Sequence, residues 1–208
     1  MKQTVLVTGA SGFVGRALCI ALARRGYKVR AVIRDLSRAT GLPGEVVQIS
    51  DIGADAGWSS ALAGIDAVVH LAARVHVMRD NALQPLAAFR AVNVVPTERL
   101  ARTAAVQGVK RLVYVSSIKV HGEGTPLGRP YTPDDVPAPV DPYGISKHEA
   151  EQALRRLAQE TGLEVVIIRP VLVYGPGVKA NFLSMMLWLH KGIPLPLGAI
   201  QNQRSLVA

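Results

Sequence analysis

Short apolar runs rich in β-branched residues recur along the chain and alternate with segments whose apolar residues follow a helical spacing. The first run covers Thr4 to Val7. It leads through a glycine-rich turn into a helical pattern from Phe13 to Arg25, which stops at Gly26. A second strand, Lys28 to Ile33, follows directly. A strand, a helix and a strand within about 30 residues form the βαβ unit of parallel sheets.

The same alternation continues along the chain. The further predicted elements are the strands Val46 to Ile49, Ala67 to Leu71, Arg111 to Ser116 and Glu164 to Ile168, and the helices Pro85 to Val106 and Tyr143 to Glu160. This alternation predicts an α/β fold with a Rossmann-type, doubly wound parallel sheet. The Pro- and Gly-rich segment from Gly122 to Pro142 is predicted to be a loop at the carboxyl edge of the sheet, where such folds place their binding sites.

Composition narrows the class of protein. Apolar residues make up 49% of the 208 positions and charged residues 19%, which is enough for a packed core. No uncharged apolar run is long enough to span a membrane, and no cleavable signal precedes the first strand, so we expect a cytoplasmic protein without a membrane span. The single cysteine, Cys19, is predicted to be a buried thiol, which fits a reducing compartment.

The net charge of +9 leaves two interpretations open, a generally basic surface and attraction of an anionic cofactor and substrate. Nucleic acid is disfavoured because the basic residues are scattered and aromatic residues are only 5% of the chain. His70 and His76 invite a metal interpretation. No cluster of Cys, His or Asp has ligand spacing, however, so no metal site is predicted.

A glycine-rich turn connects the first strand to the first helix, with the spacing GxxGxxG from Gly9 to Gly15. Glycine is needed where the backbone is tight and where it approaches a pyrophosphate, and the helix N-terminus then faces the phosphates. A plain tight turn is the alternative, but the strand–turn–helix context favours dinucleotide binding. The predicted cofactor contacts in this turn are Gly9, Ser11, Gly12, Phe13, Val14 and Gly15.

The end of the second strand carries Arg34 and Asp35, where Rossmann domains contact the cofactor ribose. An acidic residue accepts from a 2′-hydroxyl and favours NAD, whereas an arginine pairs with a 2′-phosphate and favours NADP. Arg34 comes first and Arg38 follows closely, so NADP(H) is favoured and NAD(H) stays possible. The alternative for Arg34 is a solvated strand end.

Other strand ends carry further candidates for cofactor binding. Asp51, with Ile52 beside it, ends the third strand and could accept from the adenine amino group. The small residues in Leu71, Ala72 and Ala73 would let the backbone run close to the cofactor, although ordinary helix-forming alanines are an alternative. Asn93 is a poor residue for a helix interior. It indicates either a functional role, such as holding a water or a backbone segment in a proton relay, or a local kink.

Tyr143 and Lys147 stand four residues apart and therefore share one face of the predicted helix. A nearby cation would lower the tyrosine pKa from about 10, which suits a general acid/base for alcohol–ketone interconversion. This spacing occurs often by chance, and alone it is more typical of a core tyrosine with a surface lysine. Ser116 and Ser117, at the end of the fifth strand, favour catalysis, because a hydroxyl there can polarise a substrate carbonyl. A turn cap is the alternative.

Together these residues resemble an extended short-chain dehydrogenase/reductase of the NAD-dependent epimerase/dehydratase family. The resemblance covers essentially the whole chain. Its motifs are, in order, Thr8 to Gly15, Asp51, His70 to Ala73, Asn93, Ser116–Ser117, Tyr143 with Lys147, Arg169–Pro170 and Val173 to Gly177.

The resemblance implies roles for individual residues. Catalysis would fall to Ser117, Tyr143 and Lys147. The implied cofactor contacts also include Asn93, Ser116, Tyr143, Lys147, Pro170, Val171 and Val173. The implied substrate contacts are Arg74, His76, Ser117, Lys119, Tyr143 and Asn181. Pairing of the two long middle helices into a homodimer is also implied.

The resemblance is strongest to bacterial nucleotide-sugar enzymes. It implies reduction of a UDP-4-keto-6-deoxy-N-acetylhexosamine at C4, with a 4-epimerase that holds NAD tightly as the alternative. A dinucleotide-sensing protein without catalysis is a third hypothesis, disfavoured because Tyr143 and Lys147 are both present. Ile118–Lys119 stands where dehydratases carry an acidic pair, which argues against dehydration. We expect a Rossmann domain over residues 1–174 and the start of a small, mostly absent substrate lobe over 175–208.

Overall fold

The computed structural model of the chain describes residues 2–53, 57–75, 84–178, 180–194, 199 and 202–208. The side chains of residues 180 and 181 lie outside what it describes. No helix within these described ranges is both long and apolar enough to cross a membrane.

Six parallel strands form the central sheet. They are β1 (Thr4–Thr8), β2 (Lys28–Ile33), β3 (Glu45–Gln48), β4 (Ala67–His70), β5 (Arg111–Val115) and β6 (Glu164–Ile168). Their spatial order is β3-β2-β1-β4-β5-β6, and every neighbouring pair is parallel. This order confirms the predicted doubly wound fold. The winding reverses between β1 and β4, and ligands of such sheets bind in the crevice beyond the carboxyl ends at that point.

Helices cover both faces of the sheet. The helices of the described residues are α1 (Phe13–Arg24), α2 (Trp58–Leu62), α3 (Pro85–Asn93), α4 (Val95–Val106), α5 (Pro142–Thr161) and α6 (Ala180–His190), with 3₁₀ turns at Leu36–Arg38 and Ile118–His121. The sheet is covered by α1 on one face and by α2, α4 and α5 on the other. Alternate residues of a strand face opposite sides of the sheet, so β1 contributes to two cores. Leu6 joins the core under α2, α4 and α5, whereas Val5 and Val7 join Cys19 in the core under α1. Burial raises the pKa of the Cys19 thiol to about 11.

The long middle helix predicted over Pro85 to Val106 is two helices, so that prediction is wrong in its continuity. The break falls at Val94, whose backbone has φ −100° and ψ −64°. Pro96 explains the break, because proline has no N–H for the helical ladder and its ring clashes with the carbonyl four residues earlier. Asn93 consequently becomes the last residue of α3.

A second, two-stranded sheet pairs β7 (Leu172–Val173) with β8 (Leu206–Val207) in parallel. It joins segments on either side of the predicted boundary between residues 174 and 175. The division into two domains therefore stays a prediction, and so does the homodimer.

Candidate active site

The turn between β1 and α1 lies against the segment that follows β4. Gly9 has a φ of +64°, a left-handed conformation that favours glycine. A Cβ added to Gly9 would lie 2.9 Å from the Ala72 nitrogen, and one added to Gly15 would lie 2.2 Å from the Gly9 oxygen. Both positions therefore require glycine, because the turn packs tightly against its own backbone and against the backbone of the segment after β4.

The helix α1 begins in this glycine turn. Gly12 is its N-cap; no side chain caps the helix, and its first turn contains no acidic residue. Phe13 and Val14 are each 37% exposed, and Ser11 is half-buried. Unpaired backbone N–H groups and the positive end of the helix dipole attract anions, so this turn is suited to a phosphate group.

Arg34 and Asp35 are exposed at the end of β2. The Asp35 carboxylate accepts a hydrogen bond from the Ser37 backbone nitrogen at 2.9 Å, and this hydrogen bonding lowers the pKa of Asp35. The Arg38 guanidinium donates to the Ser11 carbonyl at 3.4 Å, which connects the turn after β2 to the glycine turn. One carboxylate oxygen of Asp35 is thus already hydrogen-bonded within its own turn, and Arg34 and Arg38 lie in the same region.

Beyond the ends of β3 and β4, two segments face the same crevice. Asp51 is exposed and accepts from the Gly53 nitrogen at 2.8 Å, while the Ile52 carbonyl accepts from Trp58 Nε1 at 3.3 Å. The half-buried residues Leu71, Ala72 and Ala73 follow β4.

Thr8 holds the start of the segment after β4. Its Oγ1 accepts from the backbone nitrogens of Leu71 and Ala72, each at 3.1 Å. Thr8 was not predicted to have a role of its own. Its only signal in the sequence is a hydroxyl on the last residue of β1, directly before the glycine turn.

Ser117 and Tyr143 come together at the ends of β5 and of the Gly122–Pro142 loop. Ser117 Oγ accepts from the Lys119 nitrogen at 3.2 Å, which makes Ser117 the cap of a 3₁₀ turn. The same hydroxyl lies close enough to the Tyr143 phenol to lower its pKa. Asp141 caps α5 by accepting from the Gly144 nitrogen at 2.6 Å, so Tyr143 is fixed in the first turn of that helix. The capping role and the contact with Tyr143 coexist.

The predicted lowering of the Tyr143 pKa by Lys147 is wrong in this structure. Burial raises the pKa of Tyr143 above 10, and the nearby Ser117 hydroxyl only partly offsets the rise. The described contacts of Lys147 Nζ do not include the phenol. The ammonium donates to the Val115 carbonyl at 2.7 Å and lies 4.1 Å from the centre of the Tyr114 ring.

Lys147 is itself strongly perturbed. It is 2% exposed, and burial lowers its pKa to about 7, although the negative charge of Glu151 opposes this change. Lys147 is therefore a buried cation beneath the carboxyl end of β5, one helical turn after Tyr143.

Asn93 holds a backbone segment, which is one of the two roles that the sequence suggested. Its Oδ1 accepts from the Arg74 nitrogen at 2.7 Å, and its Nδ2 donates to the Arg74 oxygen at 3.0 Å. The Arg74 guanidinium lies 5.3 Å from the centre of the Phe89 ring, and that ring meets Tyr143 edge-on at 6.1 Å. Asn93 thus fixes the backbone of Arg74, and Phe89 lies in contact with both the Arg74 guanidinium and the Tyr143 ring.

Lys119 lies in the 3₁₀ turn Ile118–His121, and its ammonium forms ion pairs with Glu123 at 2.5 Å and with Asp141, the cap of α5, at 3.0 Å. These carboxylates neutralise the charge that the sequence analysis assigned to substrate binding. Two other predicted substrate contacts, His76 and the Asn181 side chain, lie outside the described residues.

The remaining predicted cofactor residues lie where β5 and β6 end. The Ser116 nitrogen donates to the Ile168 carbonyl at 2.7 Å, and the Pro170 carbonyl accepts from the Ile118 nitrogen at 3.0 Å. Ser116 Oγ is buried and has no hydrogen-bond partner within the described residues, so a polar atom is available there. Val171 is half-buried, and Val173 pairs with Val207 in the second sheet.

Behind this edge, Glu151 and Arg169 form an ion pair that sequence reasoning missed. Arg169 Nη2 lies 2.6 Å from Glu151 Oε2, and the two side chains are 13% and 1% exposed. Arg169 Nη1 also lies 2.9 Å from His121 Nε2. The available signal was the spacing, because an acidic residue four positions after Lys147 lies on the same helix face.

Comparison with curated proteins finds both 4-epimerases and reductases among the relatives of this chain. The chain is 47% identical over 211 residues to the UDP-glucose 4-epimerase of Vibrio cholerae, with 100% of this chain and 63% of the relative covered. It is 32% identical to the N-acetyl-alpha-D-glucosaminyl-diphospho-ditrans,octacis-undecaprenol 4-epimerase of Escherichia coli O157:H7, with 99% and 60% covered. The chain therefore spans less than two thirds of the length of these relatives.

Solved structures agree with the fold. A short-chain dehydrogenase/reductase superfamily protein from Agrobacterium tumefaciens with bound NAD is 35% identical, with a TM-score of 0.72, covering 83% of this chain and 50% of that one. MoeE5 in complex with UDP-glucuronic acid and NAD is 32% identical, with a TM-score of 0.74, covering 92% and 63%. A family model matches residues 5–206, and the chain belongs to the NAD dependent epimerase/dehydratase family.

Proposed function

We propose that this chain binds a nicotinamide dinucleotide at the glycine turn and catalyses reversible oxidation and reduction at C4 of a UDP-linked hexose. The observation that carries the proposal is the placement of the Ser117 hydroxyl beside the Tyr143 phenol at the carboxyl edge of the sheet, with Ser117 fixed by the 3₁₀ turn and Tyr143 by the Asp141 cap. Two features fit the cofactor to the same edge. One is the tight glycine turn that leads into the uncapped N-terminus of α1, and the other is the buried Ser116 hydroxyl, which has no hydrogen-bond partner within the described residues.

The roles of the residues follow from their protonation. The bound nicotinamide would supply or accept hydride. Because the pKa of Tyr143 is raised, its phenol is protonated at neutral pH and can donate a proton to a carbonyl oxygen. The Ser117 hydroxyl would hold and polarise that oxygen. Lys147 would hold the end of β5 from beneath, through the hydrogen bond from its ammonium to the Val115 carbonyl.

For the overall reaction we propose 4-epimerisation with retained NAD. The support comes from the two relatives named as 4-epimerases, 47% and 32% identical to this chain, and from neighbouring structures that contain NAD.

Reduction of a UDP-4-keto sugar with NADPH is the second candidate. It is favoured by the exposed Arg34, by Arg38 beside the glycine turn, and by the use of one Asp35 oxygen in a local turn. A guanidinium suits a 2′-phosphate, whereas a free carboxylate suits a 2′-hydroxyl.

The test is conversion of UDP-glucose to its C4 epimer by the purified chain, followed by NMR, with identification of any cofactor released on denaturation. Tyr143→Phe removes the proton donor and is expected to lower kcat by about 10²- to 10⁴-fold. The exposed Tyr27 provides the control, and Tyr27→Phe is expected to leave turnover unchanged. Full activity in Tyr143→Phe would overturn the proposal. Freely exchanging NADPH and turnover of a UDP-4-keto sugar would replace epimerisation with reduction.

A further inference from the structure

We propose that His70 and Thr97 are positioning residues. With Thr8, Asn93 and Ser146 they form a chain of buried hydrogen bonds from the segment beside the glycine turn to the helical turn that carries Tyr143. The inference rests on the proposed function, because its consequence is the relative placement of the cofactor edge and the proton donor.

The chain begins at Thr8. Its Oγ1 accepts from the amides of Leu71 and Ala72, and Ala72 is the residue whose backbone crowds Gly9. These two bonds occupy both lone pairs of the hydroxyl oxygen. The remaining atom, the Thr8 hydroxyl hydrogen, is therefore donated to His70 Nδ1, which lies 2.7 Å away.

This donation determines the state of His70. Nδ1 accepts, so the neutral ring carries its hydrogen on Nε2 and donates to Thr97 Oγ1 at 2.9 Å. The ring is 1% exposed and stacks on Tyr114 with the ring centres 5.8 Å apart. Burial lowers the pKa of His70 to about 3, and the nearby Lys147 charge acts in the same direction. The imidazole therefore stays neutral, and the direction of the hydrogen bonds is fixed.

The second half of the chain reaches the catalytic helix. Thr97 Oγ1 donates to the Asn93 carbonyl at 2.7 Å. Asn93 Nδ2 donates to Ser146 Oγ at 3.0 Å, and Ser146 Oγ donates to the Tyr143 carbonyl at 2.8 Å. The Asn93 side chain also holds the backbone of Arg74. One continuous path thus connects the ends of β1 and β4 to the first turn of α5.

Burial makes this arrangement specific. The relative exposures of the five side chains are at most 1%: Thr8 0%, His70 1%, Asn93 1%, Thr97 1% and Ser146 0%. A buried donor or acceptor that loses its partner is costly, so alternative arrangements of these groups are disfavoured. The path crosses the point where the winding of the sheet reverses. It can therefore hold Tyr143 in register with the cofactor edge, and small misplacements of reacting groups reduce rates steeply.

Two threonines on α4 provide a matched test. Thr97 and Thr103 each donate to the carbonyl four residues earlier, at 2.7 Å and 2.9 Å, but the Thr97 oxygen is also the partner of His70. Valine replaces a threonine hydroxyl at nearly constant volume. We expect Thr97→Val to lower kcat for UDP-glucose about 10- to 100-fold while the KM and the Kd for NADH change by less than about twofold. Thr103→Val should match the wild type, and Thr97→Ser should restore most of kcat.

A second variant distinguishes loss of the path from a folding defect in Thr97→Val. Ser146→Ala breaks the path at its other end without adding bulk, and it should show the same loss of kcat with unchanged NADH binding. Amide chemical shifts provide a readout that needs no turnover. Thr97→Val should shift the resonances of both Ala72 and Tyr143, whereas Thr103→Val should shift neither.

Equal kcat in Thr97→Val and Thr103→Val, or perturbed amides confined to α4, would overturn the inference. A wild-type chain that binds no NADH and turns over no UDP-glucose would instead overturn the proposed function. In that case the amide shifts would still decide whether the path connects the two sites.

Discussion

Lys147 is held inside the protein by the hydrogen bond from its ammonium to the Val115 carbonyl and by the Tyr114 ring beneath it. Its pKa is about 7 in the folded chain, against an ordinary value of 10.5. Between these two values the unfolded chain binds more protons than the folded one. Stability from this residue therefore rises as the pH increases from 7 to 10.5, and the full cost of burying the charge applies below pH 7.

We expect Lys147→Met to relieve this cost. The gain in the free energy of unfolding, relative to wild type, should be about 2 kcal/mol larger at about pH 6 than at about pH 9. Urea unfolding at the two pH values measures it. The exposed Lys110 supplies the control, since Lys110→Met should change the free energy of unfolding by the same amount at both pH values. A pH-independent effect of Lys147→Met would contradict the shifted pKa.

For individual residues, the sequence predicted which side chains share the carboxyl edge of the sheet, but not which atoms each side chain contacts there. Ser117 and Tyr143 were predicted to converge because strand ends and helix starts share one edge of a parallel sheet. The position of the Lys147 ammonium was not predictable, because the end of a long side chain is placed by tertiary packing. The hydrogen bonds of His70 to Thr8 and Thr97 were likewise not predictable from the sequence, which singled His70 out only in a motif and as a candidate metal ligand.

The elements followed the sequence closely. The bounds of all six strands of the main sheet agree with the apolar runs to within one residue at each end. Among the predicted elements the middle helix differed, because continuous helical periodicity obscured the effect of Pro96. Its interruption leaves the Asn93 side chain at the end of α3, where it can hold the backbone of Arg74. The short helix α2, the strand β7 and the helix α6 were not predicted.

The pair of Glu151 and Arg169 joins α5 to the segment after β6. Removing one charge of a buried pair leaves the other uncompensated, so Glu151→Gln should lower the free energy of unfolding by about 3 to 5 kcal/mol. The pair of Arg111 and Glu164 is a matched exposed case, with side chains 56% and 60% exposed. Glu164→Gln should cost less than about 1 kcal/mol. Urea unfolding of both variants measures the difference, and equal losses would refute the buried role.

For the whole molecule, alternation of strands and helices predicted the class of fold, but the order of strands required the structure. Pairing between β1 and β4 joins segments about 60 positions apart, and no local pattern encodes such a contact. This pairing brings Thr8 beside His70, so the positioning path depends on it. The basic net charge stayed uninformative about the site, because only a few arginines lie near the glycine turn.

The rate at which Cys19 reacts with an alkylating reagent should measure how often α1 separates from the sheet. Cys19 is the only cysteine in the chain and lies fully buried between α1 and the sheet. Relative to the value of 9.0 for an ordinary thiol, its pKa of about 11 reduces the reactive thiolate about 100-fold even before steric protection is counted. Alkylation should therefore occur only when α1 lifts from the sheet. Since α1 begins at the glycine turn, NAD should slow alkylation in proportion to its occupancy. The alkylation rate of Cys19, measured at increasing NAD concentrations, would thus give the affinity for the cofactor without changing any residue of the site.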